Sequence, residues 1–592
     1  MIAKFKKYTE LLDASEKRGI KIVMSVNALG AFLDMIGVAS IFPFMTVVEN
    51  PEKIEENSWL KLIYDVFDFQ NYSQYLIFLG ICVISFTLLS LSYRVLSTYM
   101  SMRFVHNTIA TMTQRYFNAA VQQNYLWFSN QSNSELNTKI LGEVENYASR
   151  VLLPIINFIS AVMLTFVMLV IIVLSDPKIA LIIIAYCTFF FTGIYVLISR
   201  HVSNMGKIRT EANSDRFSVL LETFEGIKTV KVFNLENILS TRFKSATSRY
   251  AKSQRSLVLI KQLPKNILEA ITVILIVTAI LIMMLHYGFA SIPIGLFSLY
   301  ALAGYRLIPA IQNIFSNAST LRYSDYAVEK LKELKKSFHP VRKIERISEQ
   351  SQKNSDVSIN NLSFKRDSHK RILDNISLEI PYKSRIAFVG PSGCGKTTLV
   401  DHIMGIISPQ EGEVLFGGES LEAENKKRFQ SRIGYVPQDV FLMKETLAKN
   451  ISLTFDDNGF DEEKVWSVLD VVNLKQFAEN QLPNGLMTVI GDGHHGFSGG
   501  QKQRIGIARA LYHSIDAIIM DEATSALDLT NEKQIMKKIS KYCESMTMVL
   551  ITHRHGSIEH LDHVIEMKDG KIISKTAAET YLKQMKTTYE PN

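Results

Sequence analysis

The stretch Arg385-Ile386-Ala387-Phe388-Val389-Gly390-Pro391-Ser392-Gly393-Cys394-Gly395-Lys396-Thr397-Thr398 decides how the C-terminal part of this chain is built. A short run of strand character ends on a glycine, and residues 390–397 match GxxxxGK[ST] directly before a helical pattern. Glycines in such a loop let successive backbone N–H groups wrap phosphate oxygens, and the N-terminus of the following helix favours negative charge. Lys396 can reach the β- and γ-phosphates, and the Thr397 hydroxyl can ligate Mg²⁺. The pattern is short, but it stands between a strand and a helix, where this chemistry needs it.

Outward from that loop, the apolar segments RIAFVG, IGYVP, AIIMDE and TMVLITH alternate with helical stretches, which predicts an α/β domain on a largely parallel sheet. AIIMDE ends on two adjacent carboxylates. Asp521 suits a metal shell, and Glu522 is placed to polarise an attacking water. A surface acidic pair is the plainer reading of Asp-Glu, and the phosphate loop argues against it.

The N-terminal half reads differently. A bilayer core about 30 Å thick needs roughly 20 mostly apolar helical residues, since no backbone group can stay unpaired in hydrocarbon. Six stretches qualify, near 22–48, 75–100, 151–175, 179–199, 267–288 and 292–316. Buried helices of a large soluble protein would not recur six times with two joined only by SDPK. Residues 49–74 carry Glu49, Glu52, Glu55, Glu56, Asp65 and Asp68 against two lysines, whereas 199–266 carries thirteen Lys or Arg. The positive-inside rule then puts both ends in the cytoplasm. The polar segments 101–150 and 200–266 have helical pattern and few breaks, so the apolar helices should continue into the cytosol. In NSWLKLIYDVFDFQ, residues Trp59, Leu60, Ile63, Val66 and Phe67 fall close to helical spacing, which fits a short amphipathic surface helix or an anchored loop.

These readings set the boundaries at 1–335 for the membrane domain, 336–356 for a polar linker and 357–592 for the nucleotide domain. The fold class is therefore a six-span all-α membrane domain followed by an α/β domain. Composition agrees. With 592 residues, 47% hydrophobic and 21% charged, and a mean hydropathy of +0.10, the chain is neither a disulfide-stapled scaffold nor a disordered tail. Its net charge of +8 is uneven, because residues 1–340 hold 33 basic against 23 acidic residues and the remainder 32 against 34. The excess sits in the loops of the membrane half, and nucleic acid is not the expected partner. Cys82, Cys187, Cys394 and Cys543 form no disulfide or metal framework. The first residues, MIAKFKKYTELLDASEKRG, do not read as a cleavable signal and instead suggest an amphipathic surface helix.

Ser498-Gly499-Gly500-Gln501, in GFSGGQKQRIGIARAL, follows Lys396 and precedes Glu522. That order resembles the ATPase domain of ATP-binding-cassette (ABC) transporters, and with six preceding spans the whole chain is similar to a half-size ABC exporter. The resemblance implies ATP and Mg²⁺ as ligands, with residues 390–398 on the nucleotide. Gln438, in GYVPQD, matches the loop that touches Mg²⁺ and senses the membrane domain. Ser498–Gln501 match the signature that closes over nucleotide held by the opposite subunit. Ser525-Ala526-Leu527-Asp528 match the loop crossing that dimer, and His553, in ITHR, matches the switch histidine on the γ-phosphate. A homodimer is implied, since one set of elements is present.

Two departures stand out. Where the family often stacks an aromatic on adenine, two places after a strand phenylalanine, Phe364 is followed by Lys365 and Arg366. Adenine is then left to Arg366, to His369, or to a loose fit. Phe497 replaces a usual leucine, apolar for apolar. As for substrate, ionisable residues inside spans are costly and count as functional candidates. Asp34, Arg94, Glu269 and Arg306 qualify, with an Arg94–Glu269 pair as the plainer alternative for those two. Arg94 and Arg306 could line a cavity and attract an anion. GYRLIP in the sixth span, the second-span arginine and the acidic external loop look similar to bacterial flippases of lipid-linked oligosaccharides. That resemblance implies a polyprenyl-pyrophosphate glycan as substrate, membrane lipid as surroundings and a bacterial cytoplasmic (inner) membrane as location. A lipid A type flippase, a peptide or multidrug exporter, and a non-translocating membrane ATPase are the alternatives.

Overall fold

The computed structural model describes residues 2–175, 177–287, 294–339, 356–367, 370–421, 423–456, 459–491 and 497–589. The chain divides into two compact units, Met1–Gln123 with Trp127–Val341, and Asn124–Leu126 with Arg342–Asn592.

The first unit is built of long helices. Three described helical stretches are long and apolar enough to cross a membrane: Ala14–Glu49, Tyr72–Val121 and Ser134–Val170. They contain the first two expected spans and most of the third, 151–175. Helices Pro177–Glu225, Glu236–Tyr287 and Ile294–Ser337 follow. Most side chains of the spans expected at 179–199 and 267–288, and of the outer half of 292–316, lie outside the described residues, Glu269 among them.

Helix Tyr72–Val121 shows why these segments suit lipid. Ile77, Ile81, Ile84, Leu88 and Val95 form an outward stripe, each more than half exposed, while Ser90, Ser97 and Ser101 are buried on the inner face. Small polar residues inside and branched apolar ones outside invert the pattern of a soluble helix. At about 1.5 Å per residue its 50 residues span about 75 Å, more than twice a hydrocarbon core, so the helix continues past the apolar segment as its polar pattern predicted.

Close packing is set by Gly206. A Cβ there would lie 1.9 Å from the Tyr323 carbonyl oxygen, so helices Pro177–Glu225 and Ile294–Ser337 meet backbone to backbone. Nearby, Glu143 and Arg209 form a buried ion pair at 3.3 Å.

The segment between the first two spans is a helix, Ser58–Val66, rather than a loop. The face expected from its spacing splits in two. Leu60 is buried and packs with Ile63 against Tyr75 and Leu79, while Trp59, Val66 and Phe67 are exposed.

In the second unit, the four apolar segments form adjacent parallel strands. The sheet order is Lys571–Ala577, His563–Lys568, Arg385–Val389, Thr547–Ile551, Ala517–Asp521, Ile433–Val436, and only the first pair is antiparallel. Strands Thr547–Ile551 and Ala517–Asp521 are buried at every residue, as near-continuous apolar runs between two covering layers should be. A separate antiparallel sheet carries Val357–Asp367, Lys370–Ile380, Glu411–Phe416 and Glu419–Ser420. This second sheet was not foreseen, because the alternation in its first two strands is interrupted by four register shifts between them.

Candidate functional site

Strand Arg385–Val389 runs into the loop at Gly390, and helix Lys396–Ile403 begins immediately after Gly395. Gly390 has φ +144°, and a Cβ there would stand 2.1 Å from the Met567 carbonyl oxygen, so no other residue fits. Lys396 is buried and donates from Nζ to the carbonyls of Gly390 at 2.8 Å and Pro391 at 3.0 Å. Its ammonium thus closes a ring over the loop. Cys394 is buried beneath it, with Sγ 3.8 Å from Nζ.

Around this loop lies a cavity of about 490 Å³ lined by Ser392, Gly393, Gly395, Lys396, Thr397, Thr398, Gln438, Asp521, Glu522 and His553. Asp521 ends its strand buried and hydrogen-bonded to Thr397. Burial raises its pKa and the neighbouring Glu522 carboxylate adds to the rise, while Thr397 and Lys396 oppose it. Behind it, burial and repulsion from Asp521 lift Asp401 to about 6. Glu522 has a left-handed backbone, φ +47°, which turns its carboxylate off the strand line. Gln438 Nε2 donates to Glu522 Oε2 at 3.0 Å, and His553 Nε2 lies 3.7 Å from Oε1.

Thr397, Gln438 and Asp521 thus face one cavity with a hydroxyl, an amide and a carboxylate. Gln438 gives its N–H to Glu522 and keeps its carbonyl oxygen for another partner. An all-oxygen set with a single carboxylate fits a magnesium ion that takes its other ligands from phosphate and water.

Ser498–Gln501 lie elsewhere and are absent from the described lining of this cavity. Ser498 caps helix Gly499–Tyr512 by a capping box: its Oγ accepts from the Gln501 N–H at 3.2 Å, and Gln501 Oε1 accepts from the Ser498 N–H at 2.8 Å. The helix thereby ends on an exposed polar turn. A Cβ on Gly500 would sit 3.1 Å from the Ala526 carbonyl oxygen, so this end packs on the Ser525–Asp528 segment. Asp528 caps the next helix through Asn531.

Sequence reasoning passed over three residues that hold this arrangement. Gln503 donates to Ser525 Oγ at 2.9 Å and accepts from the Ala526 N–H at 2.9 Å. Its signal was a glutamine on the inward face of an apolar helix. Arg554, adjoining His553, donates to the Leu527 carbonyl at 2.7 Å and to Glu532 at 2.8 Å. Glu532 is fully buried and also bonded to Thr524 and Ser557. Phe364 is a core residue packed edge-on against His402, with ring centroids 4.9 Å apart. Arg366 is exposed on its strand and outside the described cavity lining, where Arg371 stands instead. His369 lies outside the described residues.

The membrane unit holds a second cavity of about 540 Å³, and Arg94 and Arg306 both line it. They converge on Asp34. Arg94 Nη2 lies 2.6 Å from Asp34 Oδ2, Arg306 Nη1 is 3.9 Å from Oδ1, and Ser90 Oγ donates to Oδ1. The pairing of Arg94 with Glu269 falls outside the described residues, and the described partner of the Arg94 guanidinium is Asp34. Pro309, inside helix Ile294–Ser337, removes the N–H that would serve the Tyr305 carbonyl, and both residues line the cavity.

Residues 373–525 match the family model described as ABC transporter, and residues 53–305 match that described as ABC transporter transmembrane region, between them more than half of the chain. A curated relative, the heterocyst differentiation ATP-binding protein HepA of a Nostoc species, is 31% identical over 378 residues, covering 63% of this chain and 61% of its own. The alpha-hemolysin translocation ATP-binding protein HlyB of Escherichia coli is 35% identical over 237 residues, covering 40% of this chain and 33% of its own. The chain therefore spans less than two thirds of the length of these two relatives. A solved structure of a bacterial Atm1-family ABC exporter with ATP bound superposes with a TM-score of 0.75 at 19% identity, over 98% of this chain and 100% of that one. With a P-loop cavity on a parallel sheet in one unit, long apolar helices in the other and both family models matched in that order, the chain belongs to the ABC transporters, in the half-size exporter arrangement of fused transmembrane and ATPase domains.

Proposed function

We propose that this chain is an ATP-driven exporter that works as a homodimer in the cytoplasmic membrane of a bacterium. Its cargo is an amphipathic, anionic, lipid-linked molecule, and the class that best fits is a polyprenyl-pyrophosphate glycan. The observation that carries this reading is the membrane cavity, where two arginines face one carboxylate. Amide and hydroxyl groups surround them at Asn27, Ser97, Asn157, Asn313 and Asn317. Guanidinium groups suit phosphate oxygens, and amides and hydroxyls suit sugar hydroxyls. The HlyB likeness covers 237 residues. At 40% of this chain and 33% of that protein, it does not carry that protein's cargo over to this chain.

In the ATPase cavity each residue has a separate task. The P-loop backbone N–H groups and Lys396 bind the phosphates of ATP. Glu522, oriented by Gln438, accepts a proton from the attacking water, and His553 faces the γ-phosphate. Thr397, Gln438 and Asp521 would hold a magnesium ion, which when bound spreads the charge of the phosphates. The exposed Ser498–Gln501 turn completes the cavity of a second copy, with Ser525–Asp528 at the crossing. Closure of two such domains on ATP, and their release after hydrolysis, would swing six spans per copy between inward and outward access.

The test is transport in proteoliposomes across a panel of lipid-linked oligosaccharide, lipid A, peptide and drug. Arg306→Ala should impair flipping of the pyrophosphate-linked lipid more than it lowers basal ATPase. Equal flipping by wild type and variant removes Arg306 from the mechanism, and stimulation by peptide or drug alone removes the lipid-linked cargo.

A further inference from the structure

Asp34 is set among the two arginines as though it were their ligand. Its side chain is 9% exposed against 48% for Arg94 and 18% for Arg306, so the carboxylate sits behind the guanidinium groups. Ser90 Oγ pins Oδ1 from the neighbouring helix. Among the described residues lining this cavity, Asp34, Arg94 and Arg306 are the charged ones. Two cations and one anion leave a formal charge of +1. Arg306 is also not fully satisfied, because its buried Nε has no hydrogen-bond partner among the described residues. The cluster thus has both surplus charge and a spare donor, and each is what an incoming anion would take up.

We propose that Asp34 is a specificity-determining counter-ion, which the anionic group of the substrate opposes and partly displaces from Arg94 and Arg306. This rests on the reading that the cargo is anionic, and it adds how strongly the cavity grips it. With Asp34 in place an anion meets a site of net charge +1, and repulsion between its oxygens and the Asp34 carboxylate offsets part of the attraction. The grip is therefore loose enough for release, and a more highly charged head group feels the opposition more. A neutral amphiphile feels none of it. A carboxylate that merely held the helices together would act in the opposite sense: loss of its charge would free the arginines to move and weaken anion binding.

The experiment is equilibrium binding to full-length protein in nanodiscs, with geranylgeranyl diphosphate, geranylgeranyl phosphate and geranylgeraniol as probes and basal ATPase as the check on folding. Asp34→Asn should tighten the monophosphate on the order of tenfold, and the diphosphate further, as loss of one unit charge a few ångströms away allows. The alcohol should be unchanged. Asp34→Glu should keep the wild-type order. Weaker or unchanged binding of both anions in Asp34→Asn overturns the proposal. If that variant does not fold, Arg306→Gln and the Asp34→Asn, Arg306→Gln double variant carry the test. The single change brings the cavity to zero formal charge and should lose the preference for diphosphate over alcohol. The double change returns it to +1 and should restore the preference. A double variant no better than Arg306→Gln alone overturns the proposal. The two readings fail separately. Wild type binding all three probes equally sinks the anionic cargo itself, whereas a wild-type preference lost in Arg306→Gln and unmoved by Asp34→Asn sinks only the role of Asp34.

Discussion

Glu522→Gln changes one oxygen to an amide in a side chain whose surroundings are fixed on three sides. Gln438 Nε2 sits 3.0 Å from Oε2, His553 Nε2 is 3.7 Å from Oε1, and the backbone at φ +47° is set by the turn that leaves the strand. Glutamine is isosteric, and its carbonyl oxygen can still accept from Gln438. The side chain is 30% exposed, so stability should change by no more than about 0.5 kcal/mol. What is lost is the capacity to take a proton from water. A positioned general base contributes about 10²- to 10⁴-fold, equivalent to about 3–5 kcal/mol of transition-state stabilisation. Turnover of purified protein, measured by phosphate release at saturating ATP, should fall by that factor. Removing a negative charge beside the phosphates should leave ATP affinity equal or higher, read by fluorescent-nucleotide titration. Unchanged turnover refutes the role of Glu522. Loss of ATP binding refutes the claim that the substitution spares the site.

Other outcomes follow from the packing. Gly390→Ala should abolish nucleotide binding while the membrane unit stays folded, because the methyl group would stand 2.1 Å from the Met567 carbonyl oxygen; nucleotide titration of the solubilised variant checks this. Gly206→Ala should cost more stability than any exposed Gly→Ala change, since the Cβ position is 1.9 Å from the Tyr323 carbonyl oxygen, and a thermal-aggregation midpoint equal to wild type contradicts the helix contact. Arg554→Met leaves Glu532 buried without its cation and should destabilise the ATPase unit by about 3–5 kcal/mol. Adding Glu532→Leu should recover much of that loss in thermal denaturation, and no recovery argues against a buried-charge origin.

The engine was far more legible in the sequence than the cavity. Gly390, Lys396, Asp521 and Glu522 are legible because a phosphate loop demands local backbone geometry, and local geometry is written in adjacent residues. The parallel strands were readable for the same reason, as short apolar runs ending in polar turns. Gln503, Arg554 and Glu532 were missed because their partners lie 8 to 29 positions away and only the folded chain brings them together. Asp34 was noticed as an unusual charge in a span, but its pairing with Arg94, 60 positions on, and with Arg306 in another helix is a property of helix packing. The outward face of Ser58–Val66 was misjudged because spacing alone does not say which side the neighbouring helix covers. Arg366 was singled out from its place after Phe364; Phe364 itself is a core residue, and Arg366 is exposed and not among the described residues lining the phosphate cavity.

Hydrolysis at Glu522 is proposed to drive movement of a pyrophosphate-linked lipid through the cavity of Arg94 and Arg306. Its most direct measurement is flipping of a fluorescent polyprenyl-pyrophosphate oligosaccharide in proteoliposomes, with wild type and Glu522→Gln compared at equal ATP. Rapid loss of label from the ATP-facing leaflet with wild type, and none above the protein-free rate with Glu522→Gln, is the result expected. Equal flipping by the two proteins, or no flipping by an ATPase-active wild type, would refute this coupling.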